Sequence, residues 1–286
     1  MSSRQESPID LKIYSTPVEE YPPLDVNYGD NSTYIYNNGS TLKVLFNVAI
    51  PSTLQGGPLK SKYVLSELSF RWGRSEHSVN GAYYVGEVQM VHWNLKYANY
   101  DDARKYKDGV VILAVFLKAG GLNDKIELIT SQVHNIVQKN ASKGFTGFNP
   151  VSLLPKCLDY WTYTGTTTVA PIDKNVTWIV FKDPIPISAG QLGRLRTMTS
   201  SDPGKPVTYI YNNFKETQPV KEYNVKASFS NAEGCYDKHV YKNPFIELYV
   251  IIAVVVCVTI ILSVMASILY NRRRFVALAR RIYYGS

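Results

Sequence analysis

Leu68-Ser69-Phe70-Arg71-Trp72-Gly73 and Val88-Gln89-Met90-Val91-His92-Trp93-Asn94 decide how this chain folds. In an extended strand, residues two apart share a face. Ser69 and Arg71 therefore point one way, while Leu68, Phe70 and Trp72 point the other. On the second stretch Gln89 and Val91 share a face, opposite Val88, Met90 and His92. Such strands predict a sheet with one apolar face and one face that carries a hydroxyl, a guanidinium and an amide.

Working outward, Leu42–Phe46, Tyr84–His92, Val110–Leu117 and Thr177–Phe181 are short runs rich in Val, Ile, Tyr, Phe and Trp. Gly, Pro, Asn and Asp clusters separate them, which reads as strands and turns. Ile126, Ile129, Val133, Ile136 and Val137 recur at helical spacing and predict one helix between Asn123 and Lys139. The expected fold is mostly β with short helices. A stretch of about 230 residues is long enough for a sizeable core without disulfides.

The end of the chain differs. Leu248 to Tyr270 carries no charge over 23 residues, enough at about 1.5 Å per residue to cross a hydrocarbon layer of about 30 Å. It predicts a transmembrane helix. Asn271 to Ser286 follows with five arginines and no acid, suited to the side on which the membrane is first met. Of the formal net charge of +8, residues 1–247 hold only +3, 26 basic against 23 acidic side chains. Any polyanion must then be held by a local patch, and nothing points to nucleic acid. The predicted organisation is an ectodomain over 1–230, a stalk over 231–247, the membrane helix over 248–270 and a basic tail over 271–286. Met1 to Pro8 has no apolar run, so no secretory leader is expected.

Longer motifs add a resemblance. Gln5-Glu6-Ser7-Pro8-Ile9-Asp10, Asn37-Asn38-Gly39, Phe70-Arg71-Trp72-Gly73, Ser75-Glu76-His77, Val91-His92-Trp93-Asn94, Leu153-Leu154-Pro155, Leu158-Asp159-Tyr160-Trp161-Thr162-Tyr163 and Val176-Thr177-Trp178-Ile179-Val180-Phe181 occur in this order. Val225-Lys226-Ala227-Ser228-Phe229 closes the series. The sequence resembles the α-carbonic anhydrases over about four fifths of its length. That resemblance implies their fold, a twisted, mainly antiparallel central sheet, with the membrane helix appended.

By the same resemblance, Ser69, Arg71 and Gln89 stand where the family keeps three zinc-binding histidines. Zinc takes neutral imidazole, thiolate or carboxylate ligands, and a guanidinium cannot be deprotonated to serve. Glu76 and Thr168 match the family's Glu–Thr pair, and Ser40 replaces its proton-shuttle histidine. Ser40, Ser69, Arg71, Glu76, Gln89 and Thr168 thus read as a vestigial active site, without metal or cofactor and without catalytic residues. Charge balance predicts that Arg71 pairs with Glu76. His77 and His92 occupy positions that are not ligands, and His134 and His239 lie elsewhere. The expectation is a chain that is not an enzyme. A residual hydrolase using Ser69 or Ser40 lacks a neighbouring base.

Without a leader and with an anchor at its end, the chain is similar to the carbonic-anhydrase-like cell-surface-binding proteins of poxvirus mature virions. The resemblance implies a single-pass virion membrane protein with an exposed N-terminal domain. It would attach to cell-surface sulfated glycosaminoglycan, chondroitin sulfate favoured, through a basic crevice. Lys43, Arg71, Arg74, Lys96, Arg104, Lys105, Lys107 and Lys215 are the candidate contacts, since arginine engages sulfate much as it does phosphate. A structural virion membrane protein is the other reading. Cys235 in the stalk is the candidate for an interchain disulfide, giving a homodimer whose two sites act together.

Overall fold

The computed structural model describes residues 5–221 and 224–230 and, beyond them, Thr259 and Arg272. The chain divides into two compact units, Met1–Cys235 and Tyr236–Ser286, and every element below belongs to the first. The stalk, the predicted membrane helix and the basic tail lie, those two residues apart, outside the described residues. No helix among the described residues is long and apolar enough to cross a membrane.

A twelve-stranded sheet organises the first unit. Ser142–Gly144, Ser32–Asn37, Leu42–Phe46, Tyr63–Trp72, Gly86–Asn94, Val110–Ala119, Lys174–Phe181, Tyr160–Thr166 and Lys226–Ala227 lie side by side in that order. Pairing is antiparallel except where Val110–Ala119 meets Lys174–Phe181 and Ile185–Ile187, which run parallel to it. At the centre Ser69 stands opposite Gln89 and Leu68 opposite Met90, so the two stretches quoted first are neighbours.

The alternation divides the sheet as expected. Leu68, Phe70, Trp72, Val88 and Met90 join Leu113, Val115 and Ile179 in one buried cluster. On the other face Ile112, Ala114 and Phe116 pack with Trp161, Tyr163, Trp178 and Val180. Burial of these large side chains supplies the main favourable term, about 25 cal/mol for each Å² of apolar surface removed from water. Gly73 ends its strand at φ +92°, where a β-carbon would meet the Asn212 side chain at 2.6 Å.

The predicted helix is shorter than its periodicity implies. It is α-helical over Asp124–Thr130, with Asn123 accepting from the Lys125 and Ile126 N–H groups, and continues only as a 3₁₀ turn over Val133–Asn135. Ile126, Ile129, Val133 and Ile136 are all buried, as the pattern requires. Beyond the turn the Val137 carbonyl accepts bonds from the Thr199 N–H and the Asn37 side chain, so that part of the segment is held by distant residues and not by helical bonds. The last strand is likewise shorter, Lys226–Ala227.

His92 lies in the core beneath Tyr28, whose hydroxyl meets its Nε2. Burial lowers its pKa to about 3. The unfolded chain therefore binds a proton that the folded chain refuses, and His92 contributes stability that is complete above the unfolded value, about 6.5, and is lost as pH falls. Unfolding free energy should fall between pH 6.5 and about 3 with a slope of up to about 1.4 kcal/mol per pH unit from this group. Denaturant titrations of the chain and of His92→Gln across that range check it. The variant should lose that part of the slope.

Candidate functional site

Where the polar face of the sheet is not covered by the second apolar cluster, it opens into a cavity of about 380 Å³. Ser69, Arg71, Gln89 and Val91 line it together with Lys43, Tyr100, Arg104 and Thr168. Strand alternation thus brings together the three side chains singled out in the sequence.

Arg71 is 4 % exposed. Its Nε donates to Glu76 Oε1 at 3.0 Å, Nη1 to Ser69 Oγ at 3.1 Å and Nη2 to Gln89 Oε1 at 2.8 Å. Gln89 Nε2 in turn donates to Glu76 Oε2 at 2.7 Å and to Glu87 Oε1 at 2.9 Å. The ring Arg71–Glu76–Gln89 is closed, and the pairing of Arg71 with Glu76 expected from charge balance is present. Glu76 Oε1 also accepts the Lys215 backbone N–H at 3.1 Å, so its oxygens are engaged by these groups and not by Thr168.

Behind the ring, Glu87 accepts from His77 Nδ1 at 3.0 Å and from the His77 backbone N–H. His77 Nε2 lies 2.8 Å from the Tyr163 hydroxyl, which donates to Ser7 Oγ. Burial alone would push the Glu87 carboxyl up, but the charge and hydrogen bonds of His77 and the Gln89 amide hold it below the usual carboxylate range. The Tyr163 hydroxyl is raised well above its usual value by burial. Glu87 and Tyr163 had no separate mark in the sequence as site residues, because His77, which bonds both, reaches them from a turn outside their strands.

Ser40 is not in this cavity. It lines an adjoining one of about 520 Å³ with Glu76, Thr168, Asn213 and Lys215, and its carbonyl accepts from Asn213 Nδ2. Arg104 and Lys105 line a third of about 280 Å³ with Asp173 and Lys174. Arg74, Lys96 and Lys107 line none of the three. Arg74 lies between the rings of Tyr83 and Phe214, 3.9 and 4.4 Å from their centroids. Lys174 was missed in the sequence, where nothing marks it out; it opens the strand Lys174–Phe181 beside Asp173.

The crevice is less basic than eight cations suggest. Lys43 is bonded to Glu67 at 2.7 Å, Arg71 to Glu76, Arg74 to Glu216, Lys96 to Asp108, Arg104 to Asp173 and Lys105 to Asp102. Among the described residues only Lys107 and Lys215 of that set have no ion pair. Burial raises the Tyr100 hydroxyl far above its usual value, and its 2.6 Å bond to Asp173 adds to this. Asp173 thus accepts from both the Tyr100 hydroxyl and the Arg104 guanidinium.

Residues 1–229 match the family described as eukaryotic-type carbonic anhydrase. The chain belongs to that family. It is 40 % identical to carbonic anhydrase 1 of Oryctolagus cuniculus over 233 residues, 79 % of this chain and 99 % of that protein. Carbonic anhydrase 3 of Bos taurus is 38 % identical over 78 % of this chain and 89 % of its own length, and carbonic anhydrase 3 of Homo sapiens 35 % over the same shares. These relatives correct the expectation of a chain that is not an enzyme, because the family is enzymatic and enzymes of that name match most of the chain.

Zinc, which the family implies, does not fit the donors that Ser69, Arg71 and Gln89 present. A guanidinium already bonded to a carboxylate, a hydroxyl and an amide occupies the point where they converge, and it has no lone pair to offer a metal. No catalytic step is assigned to these three side chains.

Cys157 is disulfide-bonded. The other two cysteines, Cys235 and Cys257, lie outside the described residues.

Two outcomes follow from the ring. Arg71→Ala leaves Glu76 buried without its cation and should lower stability by about 3–5 kcal/mol, read by denaturant unfolding, and adding Glu76→Gln should recover part of it. Ser69→His, Arg71→His and Gln89→His together should give a chain that takes up about one zinc, measured by equilibrium dialysis and elemental analysis. A folded triple variant without zinc uptake would show that the three positions do not converge.

Proposed function

We propose that the chain is an attachment protein that binds sulfated glycosaminoglycan, chondroitin sulfate favoured, along the cleft formed by these cavities. On this reading Ser69, Arg71 and Gln89 occupy the family's zinc-ligand positions, and the protein stands in a poxvirus virion membrane, anchored through 248–270 with its N-terminal domain outward. On this reading Cys235, which lies outside the described residues, is the candidate for a bond between two chains.

The observation that carries the reading is the state of the cations around the cleft. Lys215 has its backbone fixed on Glu76 while its ammonium has no ion pair among the described residues, and Lys107 is exposed and also without one. The pairs of Lys96 and Lys105 are at the surface, with lysine side chains 50 % and 67 % exposed. Such pairs contribute about 0–1 kcal/mol, so a sulfate can replace the carboxylate at little cost. The buried Arg71–Glu76 pair cannot exchange in this way and serves as the rigid floor. Pre-paired cations also explain how a domain of low net charge could hold a polyanion without binding every acidic surface.

Full-length protein should bind immobilised chondroitin sulfate, and affinity should fall steeply between 50 and 200 mM salt, as where a polyanion releases condensed counterions, with these salt concentrations on the order of those used for nucleic acids. Lys105→Glu and Lys215→Glu together should weaken binding by about tenfold or more, while Lys60→Glu and Lys125→Glu, which line none of the three cavities, should change it by less than about twofold. Equal losses from both sets would mean diffuse attraction. No binding by the unaltered chain would remove the reading.

A further inference from the structure

The three cavities are neighbours that share walls. The 520 Å³ and 380 Å³ cavities share Thr168, Val169 and Ala170. The 380 Å³ and 280 Å³ cavities share Arg104 and Asp173. One segment, residues 167–175, therefore forms a wall along the whole run, with Lys215 at one end and Lys105 and Lys174 at the other.

That wall is held stiffly. The Thr167 N–H donates to the Asp173 carbonyl at 3.0 Å, and the Asp173 N–H returns a bond to Thr167 Oγ1 at 2.8 Å. Asp173 is then tied to Tyr100 and Arg104 from the neighbouring helix Tyr100–Ala103 and its cap. A stiff wall costs little ordering entropy when an extended ligand lies along it. Lys174 differs from the cations inside the run, because it is exposed and has no ion pair among the described residues. Lys105 beside it is held only by a 3.4 Å contact to Asp102.

Resting on the attachment reading, we infer that the cavity lined by Arg104, Lys105 and Lys174 is a terminal sulfate subsite, and that the glycosaminoglycan lies across all three cavities as one extended strand. Lys215 and Lys174 hold its two ends. Lys43 and Arg104, fixed by Glu67 and Asp173, present their remaining donors between them. Affinity then depends on chain length, because a short oligosaccharide fills the middle of the run and reaches neither terminal lysine.

The test measures binding of full-length protein to a chondroitin sulfate tetrasaccharide, a dodecasaccharide and the polymer. Unaltered protein should bind the dodecasaccharide at least about tenfold more tightly than the tetrasaccharide. Lys174→Glu should weaken dodecasaccharide and polymer binding by about tenfold and leave the tetrasaccharide within about twofold, and Lys174→Arg should bind all three as the unaltered chain does. Unfolding curves that superimpose show that the variants fold. A Lys174→Glu chain that binds the polymer normally, or that loses tetrasaccharide and polymer equally, overturns the terminal subsite while leaving attachment standing. Failure of the unaltered protein to bind any of the three removes the attachment reading and this one with it.

Discussion

A guanidinium inside a β-sheet must be paired, since an isolated charge removed from water costs several kcal/mol even after relaxation. Arg71 meets that requirement through Glu76, Ser69 and Gln89, and this bond set ties together what surrounds it. Glu76 comes from the turn after the strand Tyr63–Trp72, and Gln89 from the adjacent strand Gly86–Asn94. Lys215 comes from a distant segment whose backbone is fixed on the same carboxylate. The cleft therefore has a floor that is polar, satisfied and stiff.

The same pairing logic governs the rim. Lys43, Arg104 and Lys96 each face a carboxylate supplied by the fold, so the surface carries many cations and little net charge. A surface built in this way does not attract acidic molecules at long range. On the attachment reading proposed above, a ligand with several anionic groups would replace the solvated pairs, such as Lys96–Asp108, one after another along its length. On that reading the cavities lined by residues 167–175 supply the spacing.

Family membership implies zinc, and the chemistry at the centre of the cleft does not fit it. About four fifths of the chain matches the carbonic anhydrases. The Ser69, Arg71 and Gln89 side chains that converge there are bonded to one another, and those hydrogen bonds close the centre.

Alternation over residues 68–72 and 88–94 was enough by itself to determine which side chains enter the core and which face the cleft, because the period of a strand is two and does not depend on its neighbours. The pairing of Arg71 with Glu76 was legible for a similar reason, as two opposite charges a few residues apart next to an apolar strand. The length of the helix after Asn123 was not, since the apolar period runs on to Val137 while that residue's carbonyl is bound by Thr199 and Asn37 from far along the chain. Nor could the sequence show that five more of the eight expected contact cations are already paired, or that Lys174 joins Arg104 at one end of the cleft. Ion pairs and cavity walls are made by residues distant in the chain, and only the register of the sheet and the path of residues 167–175 decide which of them meet.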